Sequence, residues 1–306
     1  MIDLTVKLKN ITFRNPVFVA SGTFGYGIEI PDLVDISRLG AIITKSVTLH
    51  PREGNPPPRI VETASGMLNS IGLANVGVDR YITELIPRYE SLETPIIMNI
   101  AGSSLDEYTA ILRKVESVSS NIIGYEVNIS CPNVKKGGMQ FGVDRELTAR
   151  LTEQLRKCTE RLLIMKLSPN VTDITAIAAA AENAGADAVS AINTVVGMGI
   201  DAITRKSKIY MTYGGLSGPA IKPIGLAAVH KIHRKCSLPI IGIGGITCGN
   251  DVVEYLLAGA IAVEVGTANF RNPGIVQTIV RDLYTYCKEQ KIDQISGLSG
   301  GVETYP

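Results

Sequence analysis

The feature that most constrains this chain is a rhythm. After residue 14, short β-branched and apolar runs keep returning, each stopped by glycine or polar residues and followed by a helix-like segment. The runs are NPVFVAS (15–21), AIITKS (41–46), PIIMNIA (95–101), YEVNIS (125–130), RLLIMKLS (161–168), AVSAINT (188–194), PIIGIGG (239–245) and AIAVEVGT (260–267). Near-continuous apolar runs of this length suit parallel strands covered on both faces. Segments such as TDITAIAAAAENAGA between them have helical periodicity. Eight such repeats predict an α/β fold, a (β/α)8 TIM-type barrel, with residues 1–306 as a single domain. An open doubly wound sheet is the competing architecture.

Around that barrel the sequence predicts further pieces. LTVKL and ITF near the amino terminus read as an N-terminal β-hairpin laid over the barrel floor. Long loops follow strand 2 (47–94), strand 4 and strand 6 (195–238). They leave the carboxyl ends of the strands, where a barrel keeps its active site.

Composition narrows the partners. The chain has 306 residues, 45% of them hydrophobic, and 30 basic against 29 acidic side chains give a net charge of +1. With no run of like charge, neither nucleic acid nor an anionic membrane is favoured. No apolar stretch approaches the roughly 18 residues of a membrane span. MIDLTVKLKN does not read as a secretory signal, so a cytoplasmic location is expected. Five widely spaced cysteines (Cys131, Cys158, Cys236, Cys248, Cys287) form no CxxC pair. They read as free thiols in a reducing compartment, with no structural metal or iron–sulfur site in this chain.

Chemistry-bearing residues gather at the strand ends. Strand 7 ends in GIGG (242–245) and strand 8 in GT (266–267), glycine turns that could simply turn or could close backbone N–H groups on a phosphate. Lys45 and Lys166 stand in strands too apolar to hold a cation cheaply, so either they reach the rim or an anion meets them. Asn99, Asn128 and Asn193 recur at strand ends, with Asn69 in the loop above. Their amides suit the edge of an imide or amide ring. Cys131 directly follows strand 4. Its thiol can be an inert buried group or an acid–base catalyst, and no histidine adjoins it to make it a nucleophile.

The motifs SGTFGYG, TKSVT, GMLNSIGLANVGVD, NISCPNVKKGGMQFG, KLSPN, INT, GGLSGPAIKP, GIGGI and VGTANF, in this order, resemble the class 1 dihydroorotate dehydrogenases. The resemblance runs through essentially the whole chain. It implies an FMN-containing barrel that oxidises (S)-dihydroorotate to orotate in de novo pyrimidine (UMP) biosynthesis. Cys131 would take the carbon-5 proton, while hydride leaves carbon 6 for FMN. Lys45 and Lys166 would support the chemistry, Lys166 from the flavin's pyrimidine edge. Ser21, Lys45, Ser46, Asn99, Asn128, Lys166, Ile192, Gly218, Gly244, Gly245, Gly266 and Thr267 match FMN-binding positions. Lys45, Asn69, Ser70, Ile71, Gly72, Leu73, Asn128, Asn193 and Thr194 match substrate-binding positions. VKKGGMQFG and the proline-rich PREGNPPPRI would close over the ligand.

NSIGL with NVGVD, and SCPNVKKGG, look like the B-type, NAD-linked catalytic subunit. That resemblance implies a partner subunit carrying FAD and a 2Fe-2S cluster, assembled with a homodimer of this chain into a heterotetramer. The fumarate-linked A-type and a flavin barrel like that of dihydropyrimidine dehydrogenase are the alternatives. A non-catalytic phosphate-binding barrel would need none of the lysines, amides or Cys131. Three positions depart from the family pattern: Tyr213 stands where Thr is usual, Arg145 where Pro is common, and Met98 where a smaller residue is usual.

Overall fold

A computed structural model describes residues 2–29, 34–130 and 141–305. Its centre is a closed barrel of parallel strands running in chain order around the ring. Strands 1 to 8 are Val17–Val19, Ala41–Ile43, Ile96–Ile100, Ile122–Asn128, Leu162–Leu167, Ala188–Ala191, Ile240–Ile243 and Ala262–Val265. Each corresponds to one of the predicted runs and all are trimmed at one or both ends. Strand 4 also begins three residues earlier, at Ile122, because Gly124 fits the close approach to strand 5. A Cβ there would lie 2.5 Å from that of Leu162.

The helices start where short polar side chains satisfy their first N–H groups. Ser104 accepts from Glu107 N, Asp144 from Glu146 N and Leu147 N, and Asp173 from Thr175 N. The helices Leu105–Glu116, Arg145–Arg156 and Ile174–Asn183 then bury one face each. Strands 3 and 5 are buried at every position, as strands covered on both faces should be.

The predicted hairpin exists as Val6–Leu8 paired antiparallel with Ile11–Phe13. Lys9 at its turn donates to the Glu160 carbonyl (2.7 Å) and to Asp187 (3.2 Å), just before strands 5 and 6. The hairpin therefore closes the amino-terminal end of the barrel. At the opposite end the two long loops combine into a structure the sequence reading missed. Ile60–Thr63 and Gly66–Asn69 from the loop after strand 2 join Val195–Met198 and Tyr213–Ser217 from the loop after strand 6 in one antiparallel sheet. Gly-rich GGLSG did not look like a strand, yet glycine is what fits here: a Cβ on Gly215 would meet Thr194 Oγ1 at 2.0 Å. The sheet brings Asn69 opposite Gly215, over the barrel mouth.

Candidate active site

Two polar zones occupy the upper barrel. The inner one is fully enclosed. Glu126 on strand 4 and Glu264 on strand 8 are 0% exposed, and Lys166 on strand 5 is 6% exposed. Lys166 Nζ lies 3.2 Å from Glu126 Oε2 and 3.1 Å from Glu264 Oε2. Ser190 Oγ donates to Glu126 Oε1 at 2.7 Å, and Asn99 Nδ2 donates to Glu126 Oε2. Burial alone would lower the Lys166 pKa, but Glu126 and Glu264 outweigh it and raise it. Burial would raise Glu126, yet Lys166 and the surrounding donors pull it below its usual value. Glu264 is held well above the usual carboxylate range by burial and by the Glu126 charge.

This changes the sequence argument about Lys166. An ammonium in an apolar strand does need an anion, but the chain itself supplies two. The signal was present: Glu126 in YEVNIS and Glu264 in AVEVGT are as anomalous in their strands as Lys166 is in its own.

The outer zone is half-open. Asn128 Oδ1 accepts from Asn193 Nδ2 at 3.3 Å, and Thr194 N donates to Asn193 Oδ1 at 2.7 Å. Strand 6 ends at Ala191, so Asn193 stands in the loop beyond it, tied by its N–H to the Leu167 carbonyl at 2.9 Å. Asn69 Nδ2 donates to the Gly215 carbonyl at 3.3 Å. Ser70 to Leu73 form an irregular turn, with Gly72 and Leu73 at positive φ. Asn55 braces that turn through the Ser70 carbonyl at 3.0 Å, and Asn75 through the Leu73 carbonyl at 2.7 Å. Lys45, just past strand 2, is half-buried. Burial lowers its pKa, Glu29 opposes that shift and Arg59 adds to it. Its Nζ has no hydrogen-bond or ion-pair partner among the described residues.

A third group lies at the ends of strands 7 and 8. Gly244 and Gly245 have φ of +125° and +71°. A Cβ on Gly245 would press on the Lys222 backbone N at 2.8 Å and the Gly218 carbonyl at 3.0 Å. Lys222 begins the twelve-residue helix Lys222–His233, which has no side-chain cap. Thr267 Oγ1 donates to Ser217 Oγ at 2.8 Å, joining the strand-8 turn to this corner. A Cβ on Gly266 would lie 3.6 Å from that of Ala20, and Ser21 follows strand 1. Ser46 is buried beside Lys45, and the Ile192 N–H reaches the Ile243 carbonyl at 3.0 Å.

Thus the predicted positions on the described residues belong to the carboxyl ends of the strands and the loops above them. Cys131 and the segment VKKGGMQ lie outside the described residues. Among those residues, no helix is long and apolar enough to cross a membrane.

A family model for dihydroorotate dehydrogenase matches residues 3–286. The chain belongs to the dihydroorotate dehydrogenase family. A relative from Geotalea daltonii, named the catalytic subunit of dihydroorotate dehydrogenase B (NAD(+)), is 49% identical over 98% of both chains. The enzymes of the same name from Desulforamulus reducens and Geobacter sulfurreducens are 50% and 46% identical, again over 98% of each. Among solved structures, the dihydroorotate dehydrogenase from Eimeria tenella in complex with ferulenol has a TM-score of 0.80 at 22% identity. The match covers 98% of this chain and 88% of that one.

The three departures from the dihydroorotate dehydrogenase pattern have local explanations. Arg145 occupies the first turn position after the Asp144 cap, where proline is equally at home. Met98 is fully buried and alternates with Asn99, so it packs on the face of strand 3 opposite to that of Asn99. Tyr213 is 63% exposed and paired with Met198 in the upper sheet.

Proposed function

We propose that this chain is the catalytic subunit of a B-type dihydroorotate dehydrogenase, oxidising (S)-dihydroorotate to orotate in pyrimidine biosynthesis in the cytoplasm. The observation that carries the reading is the half-open amide and lysine zone at the barrel mouth, in a chain that shares 46% to 50% identity with enzymes of that name.

The residues present fit FMN. Asn99 Oδ1, Ser70 Oγ and Ser130 Oγ are buried polar atoms with no partner among the described residues, and such groups seek one. Gly245, which has no Cβ to press on the Lys222 helix end, leaves that end open to a phosphate, with Gly218 and Gly244 at positive φ beside it. Lys166, Asn99 and Asn128 would hold the isoalloxazine, with Ser21, Ser46, Ile192, Gly266 and Thr267 completing its surroundings. When bound, FMN supplies the acceptor for the hydride that leaves carbon 6 of dihydroorotate.

The rest is done by the chain. Lys45 has a half-buried ammonium with no direct ion pair among the described residues, suited to the substrate carboxylate. Asn69, Asn128 and Asn193, with Thr194 and the Ser70–Leu73 turn, present donors and acceptors to the ring. Cys131, as thiolate, takes the carbon-5 proton, which the adjacent carbonyl makes acidic. Electrons then leave for NAD through a partner subunit carrying FAD and a 2Fe-2S cluster. The relatives' designation as catalytic subunits and the absence of a CxxC pair in this sequence support that division of labour. A homodimer of this chain at the core of a heterotetramer is supported by exposed Val196, Ile200, Ile203 and Tyr210, all from the loop after strand 6.

The test is an anaerobic absorbance spectrum before and after dihydroorotate, for wild type and Cys131→Ala. The expected result is a yellow protein that bleaches, with bleaching nearly lost in the variant. A yellow protein that stays oxidised would overturn the substrate, and a colourless one the cofactor.

A further inference from the structure

The buried triad contains more ionisable charge than the barrel can hold. Fully ionised, Lys166, Glu126 and Glu264 would leave one net negative charge among groups at most 6% exposed. An unbalanced charge in such a place is removed by proton uptake.

The hydrogen bonds point to the same proton. Both oxygens of Glu126 already accept, from Ser190, Asn99 and Lys166. Glu264 accepts from Lys166 through Oε2, while its Oε1 is buried and receives no donor among the described residues. Glu264 also stands within hydrogen-bonding reach of the Glu126 carboxylate. An O–H on Glu264 would therefore have Glu126 as its acceptor. Among the described residues no other charged side chain is hydrogen-bonded or ion-paired to the triad. Asn99 and Ser190 are neutral, and the strand register sets Phe18 and Ile243 beside Glu264. Lys45, at the mouth above, feels Glu29 and Arg59.

We propose that Glu126 and Glu264 hold one proton between them, with Glu264 as the neutral acid, and that this pair is a positioning device for the Lys166 ammonium. The triad is then electrically neutral and Lys166 is fixed from two sides in register with Asn128. The consequence for the cofactor rests on the function proposed above. A second ionised carboxylate would oppose the negative charge that collects on a reduced flavin, and the shared proton removes that opposition.

The first test needs neither substrate nor flavin turnover. Infrared spectra of the protein as isolated, at neutral pH, should show a carboxylic-acid C=O band that shifts in D2O. It should vanish in Glu264→Gln. It should also vanish in Glu126→Gln, because Glu264 then ionises to pair with Lys166. In Lys166→Met it should about double, since both acids become neutral. Absence of the band in wild type, or its persistence in both glutamine variants, overturns the proposal. If the glutamine variants fail to fold, wild type against Lys166→Met decides alone. The second test is the midpoint potential of the FMN-loaded protein. Glu264→Gln should leave it unchanged, because an amide replaces a neutral acid, and a rise would mean that Glu264 had carried a charge. Failure of the flavin reading would leave the infrared result standing.

Discussion

The inner and outer zones of the barrel use the same residue types to opposite ends. Inside, Lys166 has its counter-ions, and Glu126 has donors on both oxygens. At the mouth, neither Lys45 nor the buried oxygens of Ser70 and Ser130 have a partner among the described residues. Polar groups that satisfy one another specify a structure; polar groups left unsatisfied at an opening specify a ligand. The lesson is that a charged residue in an apolar strand does not by itself announce a binding site. What matters is whether its partner lies inside the chain.

The sharpest way to break this comparison is to remove each lysine from protein stripped of ligands. Lys166→Met should cost about 3 kcal/mol in urea unfolding, because it strips a buried pair of its cation. Lys45→Met should stabilise by up to about 1 kcal/mol, since it removes a partly desolvated charge that has no direct partner among the described residues. Both should weaken orotate-dependent changes. Equal destabilisation by the two substitutions would erase the distinction between the zones.

Next in size is the glycine corner. Gly245→Ala places a Cβ 2.7 Å from that of Lys222 at a φ of +71°, and should cost about 2 kcal/mol. Gly297→Ala meets nothing within 4 Å and should stay within about 0.5 kcal/mol of wild type. If Gly245→Ala is equally silent, the corner is slack and not a cradle shaped for a ligand.

Much of this was legible from the sequence, for reasons that vary by element. The barrel strands could be read because period and burial agree: a run such as LLIMKL is buried at all six positions. The hairpin could be read because its strands are adjacent in sequence. The upper sheet could not, because Gly66–Asn69 pairs with Tyr213–Ser217 across nearly 150 residues, and the glycines of GGLSG conceal a strand. Its glycines answer to contacts across the fold, such as Thr194 against Gly215, which no local pattern records. The amide positions were recognisable as a set, whereas the Glu126–Lys166–Glu264 triad needs three strands closed into a ring before it exists.

The smallest expected effect separates the two lysines by pH alone. Lys45 has a folded pKa below its ordinary value of 10.5, so between the two values the unfolded chain binds more protons and stability rises with pH. Lys166 has a folded pKa above 10.5. Its contribution is fully present below 10.5 and is lost as pH rises through the folded value. Denaturation midpoints of wild type and Lys45→Met, compared over the alkaline range, should therefore converge as pH approaches 10.5 from below, by less than about 1 kcal/mol because Lys45 is half-screened by solvent. Orotate should remove that convergence, since a bound carboxylate restores the Lys45 pKa and makes its charge favourable. A difference between the two proteins that is flat with pH in the absence of ligand would mean that Lys45 is already paired, and the mouth would then be as closed as the interior.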